Sequence, residues 1–68
     1  MKNPQAYIED LRFHQRTVRN LMAELTHEMN LHNYAPPEVQ EAMNGLTNVL
    51  HLLEKGEQRC LSQLNTGK

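Results

Sequence analysis

The chain has 68 residues, seven Lys and Arg against eight Asp and Glu, and one cysteine. This length allows a single domain, and the lone cysteine excludes an internal disulfide. Near-neutral charge sets the chain apart from domains that bind nucleic acid through an overall basic surface.

Asn3-Pro4 reads as an N-cap followed by a first-turn proline, with Glu9 and Asp10 near the positive end of the helix that follows. An apolar repeat then runs Ile8, Leu11, Gln15, Val18, Met22, Leu25, Met29, His32. Its gaps alternate between three and four, the spacing of a heptad seam, and Gln15 is its polar interruption. Leu21 sits beside the seam and widens it. No proline or glycine breaks the run before Pro36, so one helix is expected over about residues 4–31.

Residues 32–36 form the connection. Asn33 suits the left-handed conformation that ends many helices, and Pro36-Pro37 prevents continuation because each proline disfavours helical geometry in the residue before it. Pro37 then fits the first turn of a second helix, expected over about residues 37–64. Its seam is Val39, Met43, Leu46, Leu50, Leu53, Glu57, Cys60, Leu64. Gly45 lies inside this pattern and is tolerated at about 1 kcal/mol. Lys55-Gly56 has the composition of a helix end, but Cys60, Leu61 and Leu64 resume the pattern in phase, which favours continuation. A stop at Gly56 would strip Tyr7, Ile8 and Leu11 of cover. Residues Asn65 to Lys68 are expected to fray.

So short a connection makes the helices antiparallel neighbours. The fold class is therefore all-α: one domain over 1–68, an antiparallel two-helix hairpin, completed by dimerisation or by a partner protein. Folding about the corner brings Met29 opposite Val39, Met22 and Leu25 opposite Met43, and Ile8 opposite Cys60. One flank of the seam carries Arg12, Arg19 and Thr26 against Thr47, Glu54 and Leu61, and Arg12 can reach Glu54 or Glu57. The other carries Tyr7, Leu21, Ala42, Val49 and Gly56, an apolar or small strip that two helices cannot cover alone. Such a strip marks a binding surface, and Leu52, Leu61 and Phe13 add apolar area. The expected partner-binding residues are Leu21, Val49, Leu52, Ala42, Tyr7 and Leu61.

Chemistry finds little footing. There is no phosphate-cradling glycine loop, Cys60 reads as a small core residue, and His14 and His51 lack a Ser or Cys to activate. The four histidines, His14, His27, His32 and His51, show no i, i+4 pair and no neighbouring Cys, whereas a zinc site needs several ligands at fixed spacing. No catalytic, cofactor or metal site is expected. Arg12, Arg16 and Arg19 form a basic stripe on the first helix, and the alternative reading is a small homodimeric four-helix bundle binding RNA or a regulatory protein. Glu9, Asp10, Glu24 and Glu28 on the same helix argue against RNA. The opening MKNPQAYIED carries acids where a signal peptide holds its apolar core, and no window approaches the roughly 18 apolar residues of a membrane span. A cytoplasmic location is expected.

The extended first helix, the turn into Pro37-Glu38, and the leucine-rich second helix ending in Leu61-Ser62-Gln63-Leu64 resemble the small E-type co-chaperones of bacterial type III secretion needle subunits. The resemblance covers most of the chain. It implies a non-enzymatic role in a virulence-associated export system. The chain would bind a helical-repeat chaperone, and the pair would hold the needle subunit as a monomer before export.

Overall fold

The structure, a computed structural model, describes the backbone of residues 3–66 and the side chains of residues 3–64. Two helices, α1 (Pro4–His32) and α2 (Pro37–Thr66), fold back on each other as a hairpin.

Local chemistry explains each end. The Asn3 side-chain oxygen accepts a hydrogen bond from the Ala6 N–H at 3.1 Å, so one donor of the first turn is satisfied, and Pro4 fills the position where no N–H is needed. Glu9 and Asp10 fall beyond the first turn, which holds no acid, so their gain from the helix dipole is small. At the other end Asn33 adopts φ 51°, ψ 40°, the left-handed state asparagine tolerates better than most residues. The Tyr34 N–H then donates to the Met29 carbonyl at 3.1 Å, which closes the helix. α2 opens on the Pro36 carbonyl, which accepts from the N–H groups of Val39 at 2.9 Å and Gln40 at 3.1 Å. The Gln40 side chain donates to the Ala35 carbonyl at 3.0 Å and ties the corner to the new helix.

α1 includes His32, one residue beyond the expected end, and α2 runs unbroken through Gly56. Fraying was expected from Asn65. The helix instead includes Asn65 and Thr66, while Gly67 and Lys68 lie outside the described residues.

The hairpin is a rod of 53 × 15 × 14 Å. Its radius of gyration is 15.6 Å, against about 11 Å for a globular chain of this length. A body two helices wide and one deep has little interior. The buried apolar residues are Ile8, Leu11 and Cys60, with Leu53, Leu61 and Leu64 packed around them. All six lie toward the open end. From Val18 to the corner, the seam residues Met22, Leu25, Met29, Val39, Met43 and Leu46 are only half-buried.

Candidate partner-binding surface

The two flanks of the seam differ chemically. On one, Arg12 Nε donates to Glu57 Oε2 at 2.7 Å, and Arg19 donates to Glu54 Oε2 at 2.8 Å. Both pairs bridge the two helices. The Arg19–Glu54 pair is exposed on both sides and contributes about 0–1 kcal/mol. The Arg12–Glu57 pair is better placed, because Glu57 is only 13 % exposed and also accepts from Gln15 Nε2 at 2.8 Å.

Gln15 itself is 4 % exposed. A buried amide costs free energy unless bonded, and Glu57 supplies the acceptor. Gln15 and Glu57, from opposing seams, thus face each other, so the polar step in α1 is matched rather than tolerated. Sequence reasoning found the Arg12 contact and missed the Gln15 one. The available signal was that Gln15 and Glu57 are the polar residues in the interior of the two seams, at roughly matching positions once the chain folds back.

Hydrogen bonds from Arg12 and then Gln15 hold the Glu57 carboxyl below its ordinary value of 4.5, against a smaller opposing effect of desolvation. A carboxyl whose pKa is lowered on folding stabilises the fold above the ordinary pKa, and that contribution disappears as pH falls through the lowered value. Glu57→Gln should therefore be less stable than the parent at pH 7, with the gap closing below about pH 4.5. Urea titrations followed by circular dichroism across pH 2–7 measure it. A gap that does not change with pH would contradict the assignment.

On the other flank Tyr7, Leu21, Val49 and Leu52 are 49, 42, 43 and 57 % exposed, and Ala42 is exposed beside them. Leu61, expected with this group, is half-buried against the Ile8–Leu11–Cys60 cluster, so it offers less outward surface. Tyr7, Leu21, Ala42, Val49 and Leu52 line one side of the rod because positions seven apart, or three and four apart, return to the same helix face. Leu31, Tyr34 and Phe13 are exposed elsewhere.

Near the corner the helices leave a concavity of about 210 Å³ lined by Leu25, Met29, Tyr34, Pro36 and Val39, with Glu28 and His32 at its edge. A larger hollow of about 470 Å³ runs along α2 between His51, Lys55 and Arg59. It is framed by charged and polar side chains.

The basic residues are unevenly distributed along the sequence. Residues 20–53 contain Glu24, Glu28, Glu38 and Glu41 and no Lys or Arg. All seven Lys and Arg lie outside that span, together with Glu9, Asp10, Glu54 and Glu57. Of the basic stripe on α1, Arg12 and Arg19 are held by carboxylates, and Arg16 is exposed.

Cys60 is buried in the core cluster. Among the described residues no three His, Cys, Asp or Glu side chains converge as a metal set, and no helix is long and apolar enough to cross a membrane. Comparison with protein families, with curated proteins and with solved structures gives no match for this chain.

Proposed function

We propose that the chain is a non-enzymatic interaction module: a helical-hairpin co-chaperone or adaptor that acts in the cytoplasm and stabilises a helical partner, such as the chaperone or needle subunit of a type III secretion system. The observation that carries this reading is the uncovered strip of Tyr7, Leu21, Val49 and Leu52 opposite a flank closed by ion pairs. The chain exposes 5461 Å², where a globular monomer of this length exposes about 4,400 Å². The excess is comparable to the roughly 800 Å² that each partner contributes to a standard interface. An amphipathic face of this kind fits the apolar groove of a helical-repeat protein.

The RNA alternative draws less support, since two of the three arginines it needs are already paired with carboxylates. The test is coexpression with the helical-repeat chaperone and needle subunit of a type III system. The parent chain should co-purify with them. Val49→Asp should lower recovery about tenfold or more, because it would bury an unpaired carboxylate, while helicity by circular dichroism is retained. Failure of the parent chain to capture either protein would overturn the proposed partner, and undiminished capture by Val49→Asp would overturn the proposed surface.

A further inference from the structure

We propose that when the chain is alone its apolar strip is covered by a second copy lying antiparallel to it, on a twofold axis beside Val49. This rests on reading the strip as a docking surface and adds its occupant in the absence of another protein.

Charge decides the direction. Residues 20–53, the corner half, carry Glu24, Glu28, Glu38 and Glu41 and no Lys or Arg, while the sequence on either side carries all seven Lys and Arg against Glu9, Asp10, Glu54 and Glu57, so the two halves differ in the sign of their net charge. Two rods side by side in the same direction would set two negative halves together at one end and two halves of net positive charge together at the other. Reversing one of them sets opposite charges together at both ends. The rod is 53 Å long and screening at physiological salt acts over about 8 Å, so each end responds to what lies directly across from it.

The sequence of α2 carries the same reversal residue by residue. Glu38, Gly45, Leu52 and Arg59 are seven apart and share one line along the helix. Turned about its midpoint, that line sets Glu38 across from Arg59 of the second copy and Gly45 across from Leu52 of the second copy. The adjacent line of Ala42, Val49 and Gly56 turns about almost the same point, so Val49 meets its own symmetry mate and Ala42 faces Gly56. In both lines a small residue stands opposite a larger or equally small one, and the charged pair falls at the rim.

The glycines fit this arrangement from a separate direction. A Cβ built at Gly45 or Gly56 meets nothing within 4 Å in the chain itself, and neither has positive φ. The hairpin alone thus gives no reason for a poor helix former at these positions. Close approach of a second helix gives one. The area also suffices, since the excess surface of the rod matches one side of a standard interface.

Sedimentation equilibrium of the full chain from about 1 to 500 μM tests the proposal. It should show a monomer–dimer equilibrium with no larger species. Glu38→Arg and Arg59→Glu should each weaken the dimer about tenfold or more, because each sets like charges face to face at two symmetric places. The double variant E38R/R59E should restore it, as only the antiparallel register allows. Circular dichroism confirms that each variant remains helical. A chain that stays monomeric throughout would overturn the proposal while leaving the strip open to a different protein, which the chaperone co-purification reads separately. A dimer indifferent to both single substitutions, or not restored by the double one, would overturn the antiparallel register.

Discussion

Ile8→Ala is expected to unfold most of the chain at room temperature when measured at low micromolar concentration. Ile8 is 1 % exposed and is the one fully buried large side chain among the described residues. It packs in a cluster with Leu11 and Cys60, edged by Leu53, Leu61 and Leu64. Truncating a buried isoleucine costs about 2–5 kcal/mol, from lost burial and from the cavity left behind. A core of this size supplies only about 3–5 kcal/mol net, so one substitution removes most of the margin. Leu25→Ala provides the contrast. Leu25 is half-buried beside the corner concavity, and its loss should lower stability by a smaller amount because the site is already partly open to water. Urea unfolding followed at 222 nm gives both values. Equal losses at the two positions would show that the core is distributed evenly along the rod, contrary to the burial described above.

The second large effect has a sign that depends on concentration. Gly45→Ala with Gly56→Ala should stabilise the isolated hairpin by about 2 kcal/mol, since glycine inside a helix costs about 1 kcal/mol relative to alanine. Neither methyl group would meet anything in the chain. In a dilute sample the thermal midpoint should rise by about 8–16 °C. In a concentrated sample the same methyl groups would stand where a second helix is proposed to approach, and self-association should weaken. Thermal melts at low concentration and sedimentation at high concentration separate the two effects. Stabilisation that appears equally at both, with dimerisation unchanged, would mean that these glycines take no part in contact between copies.

The architecture was legible because its signals are local. Asn3-Pro4 and Pro36-Pro37 set both helix starts, Asn33 marked the corner, and the three-four spacing gave the seam. Continuation of α2 past Gly56 also followed from phase, since Cys60, Leu61 and Leu64 have a role only if the helix reaches them. The distribution of packing along the rod was not legible. By sequence the corner half looks the stronger, with Met22, Leu25, Met29, Val39, Met43 and Leu46 on the two seams. Yet the deepest burial lies at the other end, around Ile8, Leu11 and Cys60. How closely two helices approach depends on side-chain size across the pair and on cross-links between them. Cys60 is small, and Glu57 of α2 accepts hydrogen bonds from both Arg12 and Gln15 of α1 near that cluster. Neither effect has a period to be read along one strand of sequence. The strip was visible as a pattern of Tyr7, Leu21, Ala42, Val49 and Leu52. The partial burial of Leu61 depended on the third dimension.

All of this depends on the hairpin leaving apolar surface that it cannot cover itself, and methyl NMR with a soluble paramagnetic co-solute measures that directly. In a dilute sample the methyl signals of Leu21, Val49 and Leu52 should broaden strongly while those of Ile8 and Leu11 stay sharp. On concentrating the sample, or on adding a partner, the first group should become protected. Leu21, Val49 and Leu52 methyls as sharp as that of Ile8 at every concentration, in a chain that remains monomeric, would contradict the account.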